Sequence, residues 1–264
     1  MHSRTYPIHK DSTHQILPEQ INDPIAIEEP LEIKIEGQSI AVIMRSPSIQ
    51  EDIELTLGFL LGEGLIEDRD DIQAIDHIVN PSNPQYNTID IRLSSGVPAK
   101  RIHQAQRNIF ASSSCGICGK GSIEAIFQHF PSLATKKDIA STLICQLPDK
   151  MRPHQHTFQK TGAIHGAALF DTDGNLLVIR EDIGRHNAVD KVIGHLVQQD
   201  LLDEKWILVV SGRVAFEIAQ KSLSAGICAI VAVGAPSSMA IDLCTKANIR
   251  LFGFVQSSRC NIYC

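Results

Sequence analysis

From Trp206 to Val255 the chain alternates short apolar runs with amphipathic segments, and this alternation narrows the fold more than any other feature. Trp206–Val210, Ile227–Val233 and Ile249–Val255 read as strands, with Val214–Leu223 and Ser237–Ala247 as helices between them. Strands that are apolar along their whole length, separated by helices, imply a parallel sheet covered on both faces. Upstream, Ala163–Phe170 and Leu176–Arg180 flank Asp171-Thr172-Asp173-Gly174, a hairpin turn. Val189, Val192, Ile193, Leu196 and Val197 then give an amphipathic helix.

The first half reads differently. Residues 1–25 are polar with prolines and histidines, and read as a loose arm. Leu31, Ile33 and Ile35 alternate with Glu32 and Lys34, Glu36-Gly37-Gln38 turns the chain, and Ile40 to Met44 returns as a hairpin. Ser48 with Glu51 three positions on predicts a capping box. Ile53, Leu57, Leu60 and Leu61 continue that helix until Gly62 or Gly64. Ala74–Val79 and Thr88–Leu93 read as strands, and Ile123, Ile126, Phe127 and Phe130 as the stripe of a helix starting near Ser122 and stopped by Pro131. These boundaries predict an N-terminal arm (1–25), an α+β part (26–110), a mobile loop with a helical connection (111–160) and an α/β part (161–264).

The net charge of -6 argues against bulk nucleic-acid binding, which wants a basic field. No apolar run approaches the roughly 18 residues of a membrane helix. The start, Met1 to Pro7, lacks the apolar core of a signal peptide. A cytoplasmic protein with no membrane contact is expected, where thiols stay reduced. Seven scattered cysteines suit free thiols better than a disulfide frame.

Two of those cysteines, Cys115 and Cys118, lie in the Ser/Gly-rich run Ser112 to Lys120. A helix starting just after them would aim its positive end at the sulfurs, and Lys120 adds a cation. Both effects favour thiolate. Three chemistries stay open at this point. The pair could be half of a structural zinc site, completed by Cys145, His154 or His156 at no familiar spacing. It could be a dithiol oxidoreductase, although Arg101 to Arg107 is no convincing buried strand to precede such a motif. It could also pass a sulfur atom from thiol to thiol.

Other polar segments sit at strand ends. Glu181-Asp182-Ile183-Gly184-Arg185-His186-Asn187, between a strand and a helix, can bind an anion or be a solvated loop capped by its Asn. His165 stands alone in an apolar strand, where a hydrogen-bonded core histidine is the plainer expectation. Ser211-Gly212-Arg213 and Gly234-Ala235-Pro236-Ser237-Ser238 are two strand-to-helix corners that could share one pocket. Glu217 is one helical turn from Arg213 and could pair with it. Phe254 to Arg259 leaves the last strand with polar side chains and a cation, either to close over a phosphate or to fray.

Glu29-Pro30-Leu31, Met44-Arg45-Ser46-Pro47, Gly58-Phe59-Leu60 with Glu63-Gly64, Ser113 to Gly119, Thr161-Gly162 with His165, Glu181 to Ala188, Ser211-Gly212-Arg213 and Gly253-Phe254 together resemble the formate dehydrogenase accessory sulfurtransferase family (FdhD-type). The resemblance spans residues 28 to 264. It implies a sulfur carrier that accepts a persulfide from a cysteine desulfurase. Such a carrier passes that sulfur to the molybdenum cofactor, in its bis-guanine-dinucleotide form, for formate dehydrogenase. Cys115 would hold the persulfide, with Cys118 assisting. Phe254, Val255, Gln256, Ser257, Ser258 and Arg259 would bind the cofactor, and Arg185 and Arg213 are the further cations expected around it. The fold implied is a cytidine-deaminase-like sheet with flanking helices and a smaller N-terminal α+β part, as a homodimer. No permanent metal is implied. His165 is followed by Gly166-Ala167 rather than the His-x-Glu of zinc deaminases, and the Cys-x-x-Cys lies upstream of it, so deaminase chemistry would be missing. Ser46 stands where the family pattern leads one to expect Thr.

Overall fold

The computed structural model describes residues 3–10, 19–82, 87–98, 127, 130–203 and 205–264. Cys115, Cys118, the loop around them and most of the helix expected from Ser122 lie outside these residues. Strands β1 (Ser3–Lys10) and β2 (Glu19–Ala26) pair antiparallel, Ser3 opposite Ala26. This corrects the expected loose arm. Both members of a two-stranded ladder are edge strands, where Pro7 and Pro24 are tolerated.

β3 (Glu29–Ile35) and β4 (Gln38–Arg45) form the anticipated hairpin, with Leu31, Ile33 and Ile35 buried. Helix α1 (Ile49–Gly62) follows. Its N-cap is Ser48, but no capping box forms: the Ser48 side chain caps nothing, and Glu51 is drawn off to Lys191 at 2.9 Å. β5 (Ile72–Val79) pairs antiparallel with β6 (Asn87–Leu93), which lies parallel to β3. The resulting four-stranded order is β4-β3-β6-β5.

The polar, proline-bearing stretch that follows is helical. α2 (Ser141–Met151) carries Pro148 in its last turns, a 3-10 turn covers Arg152–His154, and α3 (His156–Thr161) ends on Gly162 in the left-handed region. β7 (His165–Phe170) and β8 (Leu176–Asp182) make the second hairpin. Its turn is tied by the Asp171 carboxylate, which accepts from the N–H groups of Asp173 and Asn175. Then come α4 (Arg185–Gln198), β9 (Ile207–Val210), α5 (Phe216–Ser224), β10 (Ala229–Ala232), α6 (Ser238–Lys246), β11 (Arg250–Gln256) and β12 (Arg259–Ile262). The sheet order is β12-β11-β10-β9-β7-β8. Within this sheet the parallel ladders are β9–β10 and β10–β11, each pair joined by a helical crossover, α5 or α6. β7, β8 and β12 run antiparallel to their neighbours. The tail does not fray: β12 pairs antiparallel with β11.

The two sheets are joined through α1 and α4, which approach backbone to backbone. A Cβ on Gly58 would lie 1.9 Å from the Asp190 carbonyl oxygen, and one on Gly194 would lie 1.7 Å from that of Glu54. Around this contact run buried ion pairs. Arg45 donates twice to Asp52, at 2.8 Å each. Glu54 accepts from Arg180 and is 3.0 Å from His195 Nδ1. Lys221 reaches Asp190 at 2.7 Å. Each charge is taken out of water against a direct partner, the condition on which a buried charge is tolerated.

Candidate functional site

Because β9, β10 and β11 are parallel, Ser211-Gly212-Arg213, Val233-Gly234-Ala235 and the tail all leave the sheet at one edge. β7 is antiparallel to β9, so its first residue, His165, arrives at the same edge, and β8 delivers Asp182 and the start of α4 there. Ligands of open α/β sheets favour this position. The two corners do come together. The Gly234 N–H donates to the Gly212 carbonyl at 3.2 Å, and the Phe254 N–H donates to the Gly234 carbonyl at 3.0 Å. A Cβ on Gly234 would sit 2.8 Å from the Gly212 oxygen, so the closeness of the three loops depends on glycine there. Phe254 has φ +51 and a half-exposed ring. For a bulky residue that backbone conformation is strained, and the hydrogen bond to Gly234 holds it.

Beside the edge lies a cavity of about 710 Å³ whose lining includes Met151, Gln155, Phe158, His165, Ser211 and Val233. Its helical wall is pinned by Glu181, whose carboxylate accepts from the N–H groups of Thr157 and Phe158 at 2.8 Å each. Ser211 Oγ accepts from the Gly166 N–H at 3.0 Å, which fixes the floor.

The Glu181–Asn187 segment is not a solvated loop. Fully buried Asp182 accepts from the N–H groups of Ser46 (3.0 Å) and Gly184 (2.9 Å), from Asn187 Nδ2 (2.8 Å) and from Lys191 Nζ (2.8 Å). Ser46 Oγ accepts from the Ile183 N–H at 3.2 Å. A threonine offers the same oxygen, so the Ser46 departure leaves this contact in place. Gly184, not Asn187, is the N-cap of α4. This framework aims Arg185 and His186 at the sheet edge, and a Cβ on Gly212 would lie 3.5 Å from His165 Nδ1 and 4.0 Å from Arg185 Cδ.

The edge is electropositive. Burial and the Arg185 guanidinium lower the basicity of His165, against a smaller pull from Asp182. His186 is driven down to about 4 by burial, then by Arg185 and Lys221, with Glu217 opposing. Both rings are therefore neutral near pH 7. Among the described residues, Arg185 Nε and His186 Nε2 are buried without a hydrogen-bond partner. Glu217 faces His186 at 3.8 Å rather than pairing with Arg213, which is exposed.

The expected site residues divide. His165, Arg185, Arg213 and Phe254 meet at the sheet edge. Val255 is buried in the core, so only its backbone can reach a ligand. Ser257, Ser258 and Arg259 line a second cavity of about 430 Å³, with Ser257 Oγ donating to Asp149 at 2.6 Å and Arg259 Nε to Gln256 at 2.9 Å. Cys145 opens on that second cavity, whereas His154 and His156 are exposed elsewhere. Among the described residues no group of three or more His, Cys, Asp or Glu could hold a metal. Sequence reasoning missed the Asp182–Lys191–Ser46 frame, since Ser46 lies well over a hundred residues from the other two, and missed Met151, Gln155 and Phe158, which carry no motif.

Comparison with known proteins identifies the family: the FdhD/NarQ family model matches residues 26–264, and the chain belongs to that family. It is 42% identical over 249 residues to the sulfur carrier protein FdhD of Streptomyces coelicolor, covering 91% of this chain and 87% of that one. It is 40% identical over 250 residues to the FdhD of Mycobacterium tuberculosis, covering 91% and 90%. A crystal structure from Desulfotalea psychrophila, described as a formate dehydrogenase accessory protein, shares the fold. Its TM-score is 0.75 at 22% identity, over 99% of this chain and 96% of that one.

Proposed function

We propose that this protein is a cytoplasmic sulfur carrier that takes persulfide sulfur from a cysteine desulfurase onto Cys115. It delivers that sulfur to the bis-guanine-dinucleotide form of the molybdenum cofactor for formate dehydrogenase. The observation that supports it is the match along residues 26–264 to a family whose members are named sulfur carriers. In the first step the Cys115 thiolate attacks the outer sulfur of the donor persulfide; a new S–S bond forms as the donor's S–S bond breaks, leaving the donor a thiolate. In the second, the Cys118 thiolate attacks the inner sulfur of the Cys115 persulfide. Hydrosulfide leaves toward the client, the outer sulfur is reduced, and Cys115 and Cys118 are oxidised to a disulfide that a thiol reductant reopens.

The electropositive edge suits a client bearing phosphates. Arg185 and Arg213 supply bidentate donors for them. Neutral His165 and His186 offer ring nitrogens that donate or accept without adding repulsion. The 710 Å³ cavity lies within the ordinary range for small-molecule sites. The cytidine-deaminase likeness of the sheet and a homodimeric state belong to the same reading. Intact mass spectrometry after incubation with a cysteine desulfurase and cysteine tests it. Wild type should gain the mass of one sulfur atom, and Cys115→Ala should not. A bound zinc ion lost on Cys115→Ala, with no sulfur gained by wild type, would overturn it.

A further inference from the structure

Two cysteines outside the Cys-x-x-Cys motif open on one cavity. Cys145, on α2, and Cys260, on β12, line the 430 Å³ cavity together with Ser257, Ser258 and Arg259. The Cys260 thiol is near enough to add to the effect of burial in raising that of Cys145. α2 packs across β11 and β12, so the pair bridges a helix and the last strand of the sheet. Cys145 is buried and Cys260 half-buried, with the cavity as the route to solvent. The other cysteines give a contrast. Cys228 donates to the Trp206 carbonyl, and Cys244 is wholly buried, which pushes its thiol far up.

We propose that Cys145 and Cys260 form a reversible thiol–disulfide site that locks the tail hairpin onto α2. The oxidant is a low-molecular-weight disulfide. The Cys260 thiolate attacks one of its sulfurs and releases the first small thiol. The Cys145 thiolate then attacks Cys260 sulfur in the mixed disulfide and releases the second. The two protein thiols lose two electrons and two protons, and the small disulfide gains both. Cys260 acts first because it is the more exposed and because burial and the Cys260 contact raise the Cys145 thiol. The new bond ties Ser257, Ser258 and Arg259 to a helix whose Pro148 and Met151 line the 710 Å³ cavity. That this restrains client binding rests on the function proposed above; formation of the bond does not.

The test uses the full chain carrying Cys115→Ser and Cys118→Ser, reduced and then exposed to glutathione disulfide. Free thiols are blocked with N-ethylmaleimide, and the protein is digested without reductant. The expected result is a peptide pair joined through Cys145 and Cys260, two fewer free thiols, and a melting temperature raised by about 5–15 °C, as closure of a loop of over a hundred residues implies. Dithiothreitol should reverse all three. Recovery of Cys145 and Cys260 as separately alkylated or glutathionylated peptides, or Cys260 joined to Cys264 instead, overturns the proposal. Cys260→Ser and Cys145→Ser, each checked for folding by circular dichroism, should both abolish the link. Sulfur gain at Cys115 measured on Cys260→Ser in an otherwise wild-type chain reports separately on the carrier reading.

Discussion

Gly194→Ala sets two effects against each other. In an isolated helix the change stabilises by about 1 kcal/mol, since alanine restricts the unfolded backbone. Here the added Cβ would lie 1.7 Å from the Glu54 carbonyl oxygen, and real Cβ contacts essentially never fall under 3.0 Å. The obstacle is backbone inside α1, not the end of a side chain, so α1 and α4 must part by roughly 1.3 Å. That separation loosens Leu55, Val192 and Ile193, all fully buried, and stretches the contacts of Glu54 with Arg180 and His195. Overpacking of this kind costs about 1–3 kcal/mol and occasionally more. The weakened ion contacts of buried Glu54 add about 1 kcal/mol to it. The steric effect and the weakened ion contacts together win, for a net loss of about 1–3 kcal/mol. Urea denaturation followed by circular dichroism measures it, with Gly96→Ala as the control, since none of the described residues lies within 4 Å of a Cβ there. Gly194→Ala should shift the midpoint down with an unchanged slope. A midpoint equal to or above wild type would show that α1 and α4 do not touch through their backbones, and the account of how the two sheets are joined would fall with it.

Asp182→Asn should destabilise by about 1.5–3 kcal/mol. Among the described residues it leaves the ammonium of Lys191, also fully buried, with Glu51 as its one carboxylate partner, beside two carbonyls and the new amide; thermal melting of the variant against wild type reads this. The His186 ring should titrate near 4 by NMR rather than near 6.5. Between these values the unfolded chain takes up a proton that the folded chain refuses. Stability from this group is therefore whole above pH 6.5 and drains away as the pH falls toward 4. Full desolvation would make this about 3 kcal/mol, but the side chain is 35% exposed, so about 1–2 kcal/mol is expected after screening. Asp190, which burial lifts to about 6 against the pull of Lys221, contributes with the opposite sign over much of that range. The readout is therefore the difference between wild type and His186→Gln across pH 4–7: it should narrow as the pH falls, and a constant difference would contradict the stated ring environment.

The turn at Asp171–Gly174 was legible because its residue types demand a turn. The three parallel strands were legible because an unbroken apolar run between helices has few other uses. The N-terminal arm was misread because two proline-bearing strands have no periodicity of their own and gain order only by pairing. The capping box at Ser48 failed for a related reason. Glu51 had a better partner in Lys191, a residue 140 positions away. The sheet edge was legible as separate pieces, His165, Ser211–Arg213 and the Arg185 loop. Their convergence depended on β7 running against β9, which residue types do not announce.

Residue order by itself determined the alternating C-terminal sheet, the two β-hairpins of the first and second halves, and the likeness to one family, because each rests on local periodicity, turn chemistry or a short run of residues. Tertiary structure decided the rest: which acid answers each buried cation, how closely α1 and α4 approach, why two histidines stay neutral beside arginines, and that Cys145 and Cys260 share a cavity. These are matters of distance and burial between groups remote in the chain. Coulomb attraction, desolvation and steric contact act through space, so they exist only once the backbone has brought those groups together.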